Sequence, residues 1–360
     1  MQSKLVGTWL LSASVGVYGL VSLGAYTRLN KAGLSMVEWK PLSVSYPRTD
    51  EDWLTEFEKY KEFPEYKLDN SDIDLEYFKH IYFIEWAHRM LARGMGLWFA
   101  VPMGLFWWRG MFTSGTKKVM LGILGLFGCQ GLMGWMMVKS GLEEREHEER
   151  VKVAPTRLAM HHTFALSIFS LLYWNALNFL RKTPEQVLTT PSLLAGAGGA
   201  RKRLMGVLHL AIATLVSGSL VAGSDAGRIL NNWPFYGEKW FFPEDAWDRE
   251  PWYKNFYQNR SMIQFVHRTL AYITYFSICD LYLYKRAADL TTGMKFGINS
   301  IMFVGTLQVL LGVTALMRGS PFYESQAHQA NSLLLISTIL TGLHTVRRPS
   351  KAFVKSILNK

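Results

Sequence analysis

The chain has 360 residues, of which 49% are hydrophobic and only 19% charged, with a net charge of +11. So few charges exclude a disordered or nucleic-acid-coating protein. The two cysteines, Cys129 and Cys279, both lie in apolar stretches, which excludes a disulfide framework and a cysteine-rich metal site.

A membrane-crossing helix takes roughly 20 mostly apolar residues. Eight stretches qualify, at 5–26, 80–108, 118–138, 157–180, 203–223, 261–284, 294–317 and 327–346. The predicted fold class is therefore an all-α integral membrane protein with eight transmembrane helices. The first stretch reads as a span and not as a cleaved signal, because it is too long and no small-residue cleavage site ends it. The segment 27–79 that follows is long and polar, and it places Trp53, Phe57 and Tyr60 at helical spacing. Between the third and fourth spans lies the run E-E-R-E-H-E-E-R at 143–150, which reads as a solvated face that includes His147. A second long segment, 224–260, follows the fifth span.

The charges sort by side. On the side of the N-terminus lie Lys4, Lys117, Lys118, Arg181, Lys182, Arg201, Lys202, Lys285, Arg286, Arg347 and Arg348, and the acidic residues there are Glu185 and Asp289. Short basic loops face the cytoplasm or the mitochondrial matrix, so both termini are expected inside. The basic excess reads as topology. No basic stripe interleaves with base-stacking aromatics, and no nucleic-acid partner is expected.

The two halves of the chain repeat one another. E-W-A-H-R at 85–89 corresponds to Q-F-V-H-R at 264–268, Gln130 and Gly134 to Gln308 and Gly312, and A-M-H-H at 159–162 to Q-A-H-Q at 326–329. This is a duplicated four-helix unit, with the halves at 1–182 and 183–360. Because four spans is an even number, both halves share one orientation. Four-helix units commonly hold cofactors between facing helices.

Four of the nine histidines, His88, His161, His267 and His328, fall at repeat-related places near the outer ends of even-numbered spans. Ionisable groups inside a span are costly and mark function. Two histidines per half match the two axial positions of a heme iron. A small residue stands one turn beyond each of them, Ala92, Ala165, Ala271 and Ser332, where a flat macrocycle can lie against the helix. His162 has Leu166 at that offset, so His161 is the expected ligand. Arg89 and Arg268 directly follow two of the histidines and suit the heme propionates; pairing of Arg89 with Glu85 at i,i+4 is the alternative. Glu85 aligns with Gln264, so a titratable group one turn before the histidine exists in the first half only. This asymmetry suggests a reacting heme in the first half and a permanent one in the second, with Glu85 as the catalytic carboxylate.

These patterns carry a resemblance. T-R-L-N-K-A-G-L-S-M-V-E-W-K-P at 27–41, E-W-A-H-R at 85–89, Q-G-L-M-G-W-M-M-V-K-S-G-L at 130–142, R-L-A-M-H at 157–161, A-G-S-D-A-G at 222–227, F-V-H-R at 265–268 and A-H-Q-A at 327–330 occur in order across the chain. Together they resemble the heme A synthase family of mitochondrial and alpha-proteobacterial type. The resemblance implies two pseudo-symmetric four-helix bundles and oxidation of the C8 methyl of heme O to the formyl of heme A. It also implies heme b on His267 and His328, with substrate heme between His88 and His161 and Glu85 as the key acid. A heme O synthase, cytochrome oxidase assembly factors, an electron donor and membrane lipid are the implied partners. The mitochondrial inner membrane is the preferred location and a bacterial plasma membrane the alternative. Unlike many bacterial members, this chain has no cysteine pair in an outer loop. Two other readings compete: a non-catalytic electron-transfer cytochrome with two bis-histidine b hemes, and a repeat-built transporter, which the outer placement of the polar groups disfavours.

Overall fold

The computed structural model describes residues 2–39, 45–142, 152–239 and 241–358. The acidic run with His147 lies outside the described residues. Within them the chain is helical, without a β-strand beyond one isolated bridge between Tyr236 and Lys239. Eight long helices fall where the eight apolar stretches are: α1 (Gln2–Leu29), α4 (Leu75–Trp108), α5 (Ser114–Leu142), α6 (Pro155–Leu180), α7 (Pro191–Ser224), α9 (Arg260–Ala287), α10 (Thr292–Met317) and α11 (Phe322–Thr345). Four short ones accompany them: α2 (Asp50–Lys61), α3 (Pro64–Asp69), α8 (Asn255–Gln258) and α12 (Lys351–Leu358).

Five of the long helices, α1, α5, α6, α7 and α10, are long and apolar enough by themselves to cross a membrane. The other three, α4, α9 and α11, carry His88, His267 and His328. Their hydropathy is lowered by the polar groups that surround those histidines: Glu85, Arg89 and Arg93 on α4, Gln264 and Arg268 on α9, and Gln326, Gln329 and Asn331 on α11.

Two compact units are distinguished, Ser12–Phe169, and Met1–Leu11 together with Ser170–Lys360. In the second of these, α7 packs on α9, α9 on α10, α10 on α11, and α11 back on α7, with backbones close along their length. In the first, close backbone approach between long helices is found for α4 with α5.

Helix α2 starts in a reciprocal capping box. Thr49 Oγ1 accepts the Asp52 amide at 3.1 Å, and Asp52 Oδ2 accepts the Thr49 amide at 3.0 Å. Three acidic residues then fill its first turn and two lysines its last, complementing the helix dipole. Its apolar face buries Trp53, Phe57 and Tyr60, the residues expected from helical spacing, against Phe78, Ile81 and Tyr82 at the start of α4. Phe57 and Phe78 are 4.9 Å apart between ring centroids, and Trp53 and Tyr82 meet edge-on at 5.4 Å. The long polar segment after α1 is thus a small folded cap with its own aromatic core.

Helix α7 begins earlier than the apolar stretch at 203–223. Thr190 caps it by accepting the Leu193 amide at 3.2 Å, Pro191 opens its first turn, and an Ala- and Gly-rich stretch extends the helix through Arg201–Lys202–Arg203. The basic triplet therefore lies within the helix and not in a connecting loop. At its other end α7 stops at Asp225, whose φ of 57° turns the chain. The following Gly227 packs where a Cβ would lie 2.4 Å from Ser320 Oγ, and that hydroxyl donates to the Gly227 carbonyl at 2.8 Å. This explains the glycine that ends the A-G-S-D-A-G run.

Candidate functional site

Each of the four repeat-related histidines rests against a glycine of a neighbouring helix. A Cβ on Gly24 (α1) would lie 3.2 Å from Cε1 of His88 (α4), and one on Gly134 (α5) 3.2 Å from that of His161 (α6). On Gly218 (α7) it would lie 2.9 Å from Cε1 of His267 (α9), and on Gly312 (α10) 2.7 Å from that of His328 (α11). The imidazoles are half-buried, each backed by bare backbone. Within each half, the two histidines lie in electrostatic reach of each other, His88 with His161 and His267 with His328. Gly134 and Gly312 belong to the repeat seen in the sequence. Gly24 and Gly218 were not singled out there; each is one of several glycines in the first helix of its half, and its role is visible only once the histidine opposite is known.

The ring nitrogens are held differently in the two halves. His267 Nδ1 has Ser217 Oγ at 2.9 Å and the Thr214 carbonyl at 3.1 Å, which fixes the tautomer and leaves Nε2 for a ligand. The positions matched to Thr214 and Ser217 through Gly24 are Leu20 and Leu23. Accordingly, His88 Nδ1 is buried without a hydrogen-bond partner among the described residues. The second pair follows the same pattern. The Gln308 amide nitrogen sits 3.3 Å from His328 Nδ1, and Gln308 Oε1 is itself held by Asn331 Nδ2 at 2.7 Å. The Gln130 amide nitrogen lies 3.1 Å from His161 Nε2, but Phe164 stands where Asn331 does, and Gln130 Oε1 has no partner among the described residues.

One turn before His88, Glu85 is 2% exposed. Its Oε2 accepts from Ser35 Oγ at 2.7 Å and from the Met36 amide at 2.8 Å, and its Oε1 pairs with Arg89. Arg89 also donates to the carbonyls of Met36 (2.9 Å) and Glu38 (3.1 Å). Carboxylate and guanidinium together clamp the L-S-M-V-E run onto α4. The second half builds the clamp from donors alone. Gln264 donates to the carbonyls of Ala226 (2.8 Å) and Ile229 (2.6 Å), while Arg268 donates to those of Pro234 (2.8 Å) and Phe235 (3.0 Å). Arg268 Nε has no partner among the described residues. The i,i+4 pairing of Glu85 with Arg89 is thus present, and both arginines spend part of their donor set on loop carbonyls.

Sequence reasoning missed Glu65. This carboxyl is buried in the cap, accepts from Tyr60 Oη at 3.0 Å, and is pushed up to about 8 by burial. Asn70 Nδ2 donates to the same Tyr60 oxygen at 2.7 Å. No periodicity distinguishes Glu65 from the exposed acids around it. His344, which has no repeat mate in the first half, is fully buried between Asn178 Oδ1 (3.0 Å) and Arg347 (2.8 Å).

The residues fit a heme in each half. The donor set is two imidazoles, and among the described residues no group of three or more His, Cys, Asp or Glu side chains comes together as a metal cluster would require. The glycine behind each ring holds the imidazole edge-on to the neighbouring helix, and unpartnered nitrogens remain on His88 and His161.

The COX15-CtaA family model, described as cytochrome oxidase assembly protein, matches residues 7–340. A protein of Arabidopsis thaliana named heme A synthase COX15 is 39% identical over 355 residues, covering 98% of this chain and 77% of the relative. The human protein of that name is 37% identical over 97% of this chain and 84% of its own length. The heme A synthase of Paracoccus denitrificans is 35% identical over 96% of this chain and 89% of its own. Two kingdoms of eukaryotes and a bacterium thus match nearly the whole chain, across both histidine pairs and both clamps, and the chain belongs to the COX15-CtaA family.

Proposed function

We propose that this protein converts heme O to heme A, with the first half taking the substrate and the second half holding heme b. The observation that carries this division is the unequal support of the histidines. His267 and His328 are fixed by Ser217, Thr214 and the Gln308–Asn331 pair, as a permanent ligand set requires. In the first half Leu20 and Leu23 replace Thr214 and Ser217 beside His88, and Gln130, which keeps its contact with His161, has Phe164 where Asn331 braces Gln308; this looser support suits a heme that must enter, react and leave. Family membership supports the activity.

The reaction takes a methyl group through the alcohol to the aldehyde level, a loss of four electrons in two stages. Heme b, when bound, supplies one-electron redox capacity. His88 and His161 hold the substrate's iron from two helices and fix the ring between them. Glu85 is the acid–base group of that half, and Ser35 Oγ is its hydrogen-bonded neighbour on the cap side. Gln264 cannot titrate, which suits a half that performs no proton chemistry. Arg89 and Arg268 retain N–H groups beyond those given to the loops, Arg268 Nε among them, and these are the donors for propionates.

All eight long helices cross the membrane in this reading, as two four-helix bundles over 1–182 and 183–360. Both termini lie on the matrix or cytoplasmic side, and the membrane is the mitochondrial inner membrane or a bacterial plasma membrane. An electron donor, a heme O synthase and oxidase assembly factors complete the partners. The test is to supply heme O to the purified protein with a reductant and oxygen, and to identify the extracted hemes by mass spectrometry. Heme A or the C8 alcohol beside heme b supports the reading; two equivalents of unmodified heme b, with added heme O unchanged, support an electron-transfer cytochrome instead.

A further inference from the structure

At the inner end of the unit formed by Met1–Leu11 and Ser170–Lys360 is a cavity of about 570 Å³ that none of the four repeat-related histidines lines. Trp174 of α6, Leu208 of α7 and Leu340 of α11 give it apolar walls, and Arg201, Arg347 and Arg348 give it a charged lip. Arg347 is committed within the fold: it donates to the carbonyls of His344 (2.7 Å) and Lys182 (3.0 Å). Arg201 and Arg348 differ. They lie within electrostatic reach of each other, and neither has an ion pair among the described residues. The inner-side carboxylates are engaged elsewhere, Glu185 by the Ser350 amide at 2.8 Å and Asp289 by Ser192 Oγ at 2.6 Å.

Two guanidinium groups held together without a counterion repel, and an anion between them removes that cost. Guanidinium groups bind phosphate oxygens in a bidentate fork. Apolar walls directly beside the charges demand a ligand that continues from phosphate into hydrocarbon. Trp174 lies in the last turns of α6, and aromatic side chains are enriched where spans meet the headgroup region. Basic pockets between spans on the inner side take anionic headgroups. We propose that this cavity binds one anionic phospholipid of the inner leaflet, its phosphate between Arg201 and Arg348 and an acyl chain along Leu208 and Leu340. The proposal goes beyond the heme chemistry and depends only on α6, α7 and α11 crossing the membrane.

The test uses the full, heme-loaded chain in a neutral detergent, with thermal unfolding followed as phosphatidylglycerol, phosphatidylcholine or inorganic phosphate is added. Phosphatidylglycerol is expected to raise the melting temperature at concentrations where the other two do not. In R201Q/R348Q the midpoint lipid concentration is expected to rise about thirtyfold, the equivalent of ~1 kcal/mol for each of two basic groups. The control K117Q/K118Q, in the first turns of α5, keeps the wild-type midpoint. L208W fills the apolar wall without touching a charge and is also expected to weaken the phosphatidylglycerol effect, so the test survives if the arginine variant does not fold. Equal shifts from both phospholipids, an undiminished response in R201Q/R348Q and L208W, or a full effect from inorganic phosphate alone would each overturn the proposal.

Discussion

Ser217 Oγ and His267 Nδ1 stand 2.9 Å apart, and the position matched to Ser217 in the first half is Leu23. Ser217 passes its own proton to the Thr214 carbonyl at 2.7 Å, so it receives the imidazole N–H and locks the ring's tautomer. Ser217→Ala removes this acceptor and keeps the Thr214 carbonyl. Heme b affinity is expected to fall by about tenfold, the low end for loss of such a supporting contact. A heme titration of the stripped protein measures it, and an unchanged affinity would show that the carbonyl alone orients the ring.

The glycine backstops give a sharper steric prediction. Gly218→Ala and Gly312→Ala each drive a methyl group to within 3 Å of a ligand ring, against 3.2 Å for Gly24→Ala. Overpacking of this kind costs about 1–3 kcal/mol or displaces the ring. Both second-half variants should lose heme b by pyridine hemochrome assay, and Gly24→Ala should be milder. Gly19→Ala, with nothing within 4 Å of its added carbon, is the control and should retain both hemes. Retention of heme b in Gly312→Ala would mean that His328 can yield without cost.

The clamp between α4 and the cap predicts unequal effects of its two members. Arg89→Gln leaves the Glu85 carboxylate buried with only neutral donors, and breaking a buried pair in this way costs about 3–5 kcal/mol. Glu85→Gln leaves an arginine that still has two loop carbonyls, and should fold more stably than Arg89→Gln while losing heme A formation. Melting temperatures and heme analysis of the two variants separate these roles. A Glu85→Gln protein that makes heme A normally would confine Glu85 to holding the cap.

Glu65 predicts a pH dependence. Burial pushes its carboxyl up to about 8, while the unfolded chain releases that proton near 4.5. Between these values the folded protein holds more protons than the unfolded one, so stability falls as pH rises through the window. Tyr60, Asp69, Lys31 and Glu85 face the same group and are unchanged by substitution at 65. Glu65→Gln should therefore stabilise the protein at pH 8, by on the order of a few kcal/mol, and change little at pH 5. Parallel melting curves for variant and wild type across this range would contradict the assignment.

Much of this site is legible in the sequence, for physical reasons. Apolar runs announce the long helices because a bilayer demands them, and duplication singles out His88, His161, His267 and His328 among nine histidines. The Glu85/Gln264 difference is equally visible. Its consequence, that the first half clamps its loop with an acceptor and a donor and the second half with two donors, depends on where Ser35 and Ala226 fall in space. Gly24, Gly218 and Ser217 escaped notice because their role is a close approach between helices with no sequence pattern of its own. The early start of α7 followed from a Thr–Pro cap outside the apolar run, and the burial of Glu65 from a cap core assembled by residues far apart in the chain.

The division of labour between the halves is tested most directly by the hemes retained in two double variants expressed with heme O synthesis intact. His88→Ala/His161→Ala should keep heme b and contain no heme O, heme A or C8 alcohol. His267→Ala/His328→Ala should lose heme b and still bind heme O without converting it. Loss of heme b from the first variant with heme A formation persisting would contradict the account.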